Sequence, residues 1–149
     1  VLYGRGAAGV NGRFYVSLEN ARPETAYKYS KRIHAMTPTI NIAGEYSKTP
    51  GPRYVREGAF SGEEFRDKIL APKFKQAVAD GHKLRIILDG AYGYPTSFTE
   101  EAFGGLQRQN PRIDVLLYLN FVSDNNPMLI TEIASYIEDE QARLSTVRR

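Results

Sequence analysis

Residues 83–106 read Lys83-Leu-Arg-Ile-Ile-Leu-Asp89-Gly-Ala-Tyr-Gly-Tyr-Pro-Thr-Ser97-Phe-Thr-Glu-Glu-Ala-Phe-Gly-Gly-Leu106. An apolar run, Leu84 to Leu88, stops at Asp89-Gly90, crosses a loop of glycine and tyrosine, and restarts at Thr96-Ser97 as a helix. Continuous apolar character over so short a stretch marks a buried, central strand. A strand feeding a helix through an exposed turn is where α/β proteins gather function, because strand ends and helix heads converge there. This turn offers two hydroxyls and one carboxylate, with no imidazole and no thiol. It suits docking or phosphorylation better than bond-breaking catalysis.

Outward from that stretch the pattern stays regular. On the N-terminal side, Thr39-Ile40-Asn41-Ile42-Ala43-Gly44 alternates apolar and polar as a strand with one buried face does. Pro50-Gly51-Pro52 is a turn, and Arg53-Tyr54-Val55-Arg56 reads as a second, antiparallel strand. Ser61-Gly62-Glu63-Glu64 is a capping box, opening a helix with Phe65, Ile69, Leu70 and Phe74 near one face. Pro72 either kinks that helix or splits it into two short ones, opening the second, and Asp80-Gly81 ends it. On the C-terminal side, Ser97-Phe98-Thr99-Glu100 is a second capping box for a helix over 97–109, and Val115–Leu119 is another buried strand. Pro127 then opens an amphipathic helix: Ile130, Ile133, Ala134 and Ile137 share a face, with Glu132, Glu138, Asp139 and Glu140 outward or flanking. The order is β-β-α-β-α-β-α. It implies an α/β fold with a mixed sheet and helices mainly on one side, its strand–helix–strand units joined by right-handed crossovers.

Residues 1–37 read as an appended unit, leaving 38–149 as the main domain. Asn11-Gly12 is a hairpin dipeptide, and Arg22-Pro23 starts a short polar helix running to about His34. This segment holds six basic and two acidic residues, a surplus larger than the net +3 of the whole chain, so the remainder is nearly neutral. Such a segment is either a solvated face or a contact for nucleic acid or an acidic partner; Arg5, Arg13, Lys31 and Arg32 would carry the nucleic-acid reading. The absence of cysteine removes disulfides, thiolate nucleophiles and Cys-ligated metals. No apolar run approaches the ~20 residues needed to cross a bilayer. The expectation is a cytoplasmic chain with no membrane contact and no cofactor; Val1 leaves the true N-terminus open.

Several of these runs together resemble one family. They are Pro50-Gly51-Pro52-Arg53-Tyr54; Gly58 with Ser61-Gly62-Glu63-Glu64-Phe65-Arg66; Leu88-Asp89-Gly90; and Ser97-Phe98-x-x-Glu101-Ala102-Phe103-Gly104-Gly105-Leu106. They resemble the STAS-like bacterial domain family of unknown function, DUF4325, over about residues 39–140. The resemblance implies a fold like that of anti-sigma factor antagonists. In those proteins a Ser or Thr before the second helix is phosphorylated by a histidine-kinase-like ATPase. Carried over, the acceptor is Ser97, with Thr96 beside it. The antagonists' Asp-Ser-Ser/Thr-Gly is replaced here by Pro95-Thr96-Ser97-Phe98.

The residues themselves leave two roles open for Ser97, a helix N-cap and a phosphorylated switch. Asp89 reads as a turn former; a base or metal site would need partners that cannot be named. His34 and His82 read as surface histidines, and no complete catalytic set assembles. Gly104-Gly105 marks a helix stop or the close approach of another backbone. Tyr92 and Tyr94 are either docking anchors or lids on the sheet end. The reading is therefore a non-catalytic regulatory module. Its partner surface is drawn from Asp89, Tyr92, Tyr94, Thr96, Ser97, Glu100 and Glu101, the partner implied by the resemblance is a histidine-kinase-like ATPase, and a homodimer stays open. The alternative is a nucleic-acid-binding or phage- and defence-associated accessory protein using the basic segment.

Overall fold

The computed structural model describes residues 7–8, 14–15, 22–25, 27–28 and 37–147. The chain divides into two compact units, Val1–Met36 and Thr37–Arg149. In the first, β1 (Ala7–Ala8) pairs antiparallel with β2 (Phe14–Tyr15), Ala8 opposite Phe14, while the expected turn residues Asn11-Gly12 lie outside the described residues. Residues 23–25 and 27–28 are helical, and the rest of the predicted run to His34 lies outside the described residues.

The second unit is built on three strands, β3 (Thr39–Asn41), β4 (Leu84–Ile87) and β5 (Leu119–Val122). They lie in the order β3-β4-β5 with both pairings parallel, so the central strand expected at Leu84–Leu88 is central. The sheet is wholly parallel rather than mixed, because the antiparallel strand expected at Arg53–Arg56 does not form. Its neighbourhood spends the backbone hydrogen bonds elsewhere. Gly51 N–H donates to the Phe60 carbonyl, and the Pro52 and Arg53 carbonyls accept from Gly62 and Glu63. Val55–Glu57 closes into a 3-10 turn, its N–H groups and that of Tyr54 captured by Glu63 and Glu57 side chains and the Tyr54 carbonyl. Phe60 is held at φ 57°, a left-handed conformation uncommon for a bulky residue.

The first strand is also shorter than expected. The Asn41 side chain accepts from Gly44 N–H and Glu45 accepts from Asn41 N–H, which winds Ile42–Glu45 into a helical turn, α1. At the other end Val115–Tyr118 is a 3-10 turn, not a strand: Asp114 caps it, Leu117 is 64% exposed, and β5 begins only at Leu119.

Helical structure is continuous in two stretches, each interrupted by a π turn. The first comprises α2 (Gly62–Phe65), a π turn Arg66–Leu70 and α3 (Ala71–Asp80). Ser61 caps it by accepting from Glu64 N–H, and Gly81 ends it at φ 68°. Pro72 sits in the first turn of α3, as expected, where its missing N–H follows directly on the π turn. The second comprises α4 (Thr96–Thr99), a π turn Glu100–Gly104 and α5 (Gly105–Gln109). The last helix, α6 (Met128–Val147), follows Pro127. Among the described residues no helix is long and apolar enough to cross a membrane.

Strand register separates two faces. Ile40, Ile86 and Phe121 lie side by side, with Leu84 and Leu119 on the same face. Phe103 of the second π turn meets Phe121 at 5.3 Å, ring centre to ring centre. The helical stretches cover that face and touch in series, and Phe65, Phe74, Phe98, Leu106, Ile133 and Ile137 complete the core. The opposite face carries Thr39, Asn41, Arg85, Ile87, Asn120 and Val122, all half-buried or exposed.

Candidate functional site

The carboxyl ends of the parallel strands open into three loops that are stitched to one another. Tyr92 N–H donates to the Lys48 carbonyl, joining the loop after β4 to that after β3 and α1 (2.8 Å). Asp89 joins it to the loop after β5. One carboxylate oxygen accepts from Asp124 N–H (2.8 Å), the other from Asn125 N–H (3.0 Å). Those two donors hold the Asp89 carboxyl below its ordinary range. Tyr94 folds down and donates to the Leu88 carbonyl at 2.8 Å, and burial pushes its phenol well up. Of the two tyrosines, then, Tyr94 is the lid, whereas Tyr92 projects outward at 84% exposure. Gly90, at φ 96°, turns the chain directly after Asp89.

The second half of the site is the head of the helix at 96–109. Pro95 is its cap residue, contributing no side-chain bond, and its carbonyl accepts from Phe98 and Thr99 N–H. The helix therefore begins one residue earlier than expected, at Thr96. Ser97 is not the N-cap, and the capping box read from Ser97 to Glu100 does not form, because Glu100 is taken by arginines. Among the described residues neither the Ser97 nor the Thr96 hydroxyl makes a side-chain hydrogen bond; Thr96 is exposed and Ser97 half-buried.

Glu100 and Glu101 point into a network of charges. Glu100 pairs with Arg53 on one oxygen and with Arg108 on the other, the latter at 2.7 Å. Burial raises the Glu100 carboxyl, but the hydrogen bonds from Arg108 and Arg53 outweigh it and hold the group below its ordinary range. Glu101 is buried against Arg66 (2.7 Å) and also reaches Arg108 (3.1 Å). Arg108 continues to Glu140 at 3.2 Å, and Glu140 pairs with Arg143. Glu101 is thus inside the molecule rather than on the expected partner surface. Glu140, expected to face outward from α6 or to flank its apolar face, is buried in the same network.

Arg53, Arg66, Arg108 and Glu140 were not among the site residues expected from sequence. The signal that marks the network is the glycines. A Cβ on Gly105 would stand well inside contact distance of the Arg66 guanidinium, and one on Gly62 would meet the Phe98 carbonyl oxygen at 2.5 Å. The Gly104-Gly105 pair is therefore not a helix stop, and what approaches it is not another backbone, the expected alternative, but the Arg66 side chain at Gly105 and the Glu100 side chain at Gly104. Two of the runs that carry the family resemblance, Ser61–Arg66 and Ser97–Leu106, form one clamp: helix against helix at Gly62 and Phe98, locked by Arg66 on Glu101.

His82 is exposed, as expected of a surface histidine, and no group of three or more His, Cys, Asp or Glu among the described residues could hold a metal ion. His34 and the basic residues Arg5, Arg13, Lys31 and Arg32 lie outside the described residues. No curated protein and no solved structure matches this chain. The family model of the STAS-like domain of unknown function (DUF4325) matches residues 61–128, from the cap of α2 to the first residue of α6. The matched stretch holds Gly62, Arg66, Glu101 and Gly105 of the clamp and the loops after β4 and β5, so it is this part of the chain that is similar to the STAS-like domain of unknown function.

Proposed function

We propose that this chain is a non-catalytic regulatory module that docks a protein partner through the loop 89–95 and the helix head at Thr96-Ser97. A histidine-kinase-like ATPase is the partner, and phosphorylation of Ser97, or of Thr96, controls the contact. The observation that carries the reading is that Ser97 has no capping duty: Pro95 precedes the helix, and the Ser97 hydroxyl is spent on nothing among the described residues. Tyr92, almost fully exposed on the same stretch, supports it as an anchor that buries large area at small entropy cost.

The chemistry is transfer of the γ-phosphoryl group of ATP to the Ser97 oxygen, with loss of the hydroxyl proton and departure of ADP. The phosphate adds about −1.5 to −2 charges at neutral pH. One helical turn on sits Glu100, an i,i+3 neighbour already shared by two arginines. A new anion there competes for Arg53 and repels any partner carboxylate laid on the loop.

The test is intact-mass spectrometry of the chain after incubation with a histidine-kinase-like ATPase and ATP, alongside binding measured by calorimetry. The expected result is a mass gain of one phosphate, absent in Ser97→Ala or in Thr96→Ala, and weakened binding by the Ser97→Asp variant. No phosphate and no binding would remove this reading.

A further inference from the structure

Between the loops after β4 and β5 and the start of α6 lies a cavity of about 280 Å³. Its lining includes the buried Leu88 and Leu129 and the half-buried Tyr94, together with two carboxylate residues, Asp89 and Glu132. No lysine or arginine among the described residues lines it. The two carboxylates differ in role. Each Asp89 oxygen accepts one backbone N–H and keeps further lone-pair capacity. Glu132 is exposed and its carboxylate has no hydrogen-bond or ion-pair partner among the described residues. Tyr92, also lining, supplies an exposed aromatic ring at the mouth.

A cavity that combines apolar side chains, two carboxylates and an aromatic ring is complementary to a long basic side chain. Such a side chain lays its methylene stem on apolar surface and keeps its charged head among polar groups. A guanidinium both stacks on an aromatic ring and presents a planar fork to a carboxylate. Small-molecule sites run to roughly 300–1,000 Å³, so this cavity is better matched to one side chain than to a nucleotide.

We infer that this cavity is the receptor for an arginine side chain of the protein partner. The inference rests on the docking reading above and supplies the chemistry of its contact. It is independent of whether Ser97 is phosphorylated.

The experiment is an amide NMR titration of the full chain with the peptide acetyl-Gly-Arg-Gly-amide, and separately with its glutamine counterpart. The arginine peptide is expected to shift the amides of residues 89–94 and 123–126 saturably, more weakly as salt rises, and the glutamine peptide to leave them in place. Glu132→Gln and Tyr92→Ala each remove an exposed contact and are expected to weaken binding roughly two- to fivefold. Their unliganded spectra report that the fold is kept. Absent shifts, equal shifts with both peptides, or affinity indifferent to Glu132→Gln would each overturn the inference. If Ser97 accepts phosphate while the arginine peptide fails to bind, the docking reading survives and only the arginine receptor falls. If the peptide binds and no phosphate is transferred, docking and the arginine receptor stand and only the control by phosphorylation falls.

Discussion

Arg66 Nη1 and Glu101 Oε1 meet at 2.7 Å in a space left open by Gly105, and the same nitrogen donates to the Glu101 carbonyl at 3.0 Å. Arg66 Nε completes its set with Asp67 at 3.0 Å. Both side chains are less than a tenth exposed, and among the described residues no buried polar side-chain atom lacks a partner. The pair ties the π turn of one helical stretch to the π turn of the next. Breaking such a pair from one side leaves a buried charge uncompensated, which costs about 3–5 kcal/mol. Arg66→Met and Glu101→Gln are each expected to destabilise the fold on that scale in denaturant titrations. The double variant should lose less than the two losses added together, since neither charge is then orphaned.

Gly62→Ala is expected to destabilise more than Gly104→Ala. At Gly62 the new methyl meets the Phe98 backbone, at 2.5 Å from its carbonyl oxygen, so the helices must part. At Gly104 it meets the end of the Glu100 side chain at 3.0 Å, which can swing aside. Overpacking costs about 1–3 kcal/mol, and better helix propensity returns up to about 1 kcal/mol at either site. Thermal midpoints of the two variants check the order; a reversed order would show that the helices do not pack as closely as described.

Ser61 and Ser97 separate a cap from a free hydroxyl. Ser61→Ala removes the acceptor for Glu64 N–H and should cost about 1 kcal/mol, the usual worth of an N-cap. Ser97→Ala should leave stability within about 0.5 kcal/mol, as for a surface change that breaks nothing. Equal losses would mean that Ser97 caps its helix after all.

Asp89→Asn should loosen the loop after β5 without unfolding the domain. One of the two accepting oxygens is lost, and the amides of Asp124 and Asn125 are expected to exchange faster with solvent while those of β4 and β5 stay protected. Carboxyl titration followed by NMR should place the Asp89 midpoint below the ~3.9 of a free aspartate, because Asn125 and Asp124 N–H favour its charged form.

Acid should weaken the clamp through Glu100. Its folded-state carboxyl titrates below its unfolded one because Arg108 and Arg53 outweigh the effect of burial. The unfolded state therefore binds a proton first as pH falls. The stabilisation is complete above the unfolded value of ~4.3 and is lost as pH drops through the folded value. Glu100→Gln should reduce stability at neutral pH and flatten its decline below that point; denaturant midpoints across the acid range measure both.

The legible parts of this chain were those whose signal lies within a few residues. Leu84–Leu88 reads as a central strand because its side chains are apolar without interruption. Ser61 to Glu64 reads as a helix head because cap and acceptor sit three apart, and Asp80-Gly81 reads as its end because a left-handed residue is needed there. The family runs were legible too, although their role was not: Gly62 reads as part of a capping box and Glu101 as part of a partner surface, and with Arg66 and Gly105 they turn out to be the parts of a helix clamp.

What escaped reading was set by neighbours distant in the chain. Arg53–Arg56 has strand-like residues, but its backbone is bonded to residues 54–63, so no edge remains for pairing. Val115–Tyr118 is apolar enough for a strand, yet Asp114 caps it into a turn and the strand slips to Leu119. Glu140 sits among outward carboxylates and is drawn inside by Arg108, 32 residues away. Local propensity and periodicity act over one or two turns of backbone and so are written in the sequence; ion pairing, cavity shape and the competition for backbone hydrogen bonds exist only once the elements meet, which is why the strand–loop–helix unit could be foreseen and the arginine clamp and the anionic cavity could not.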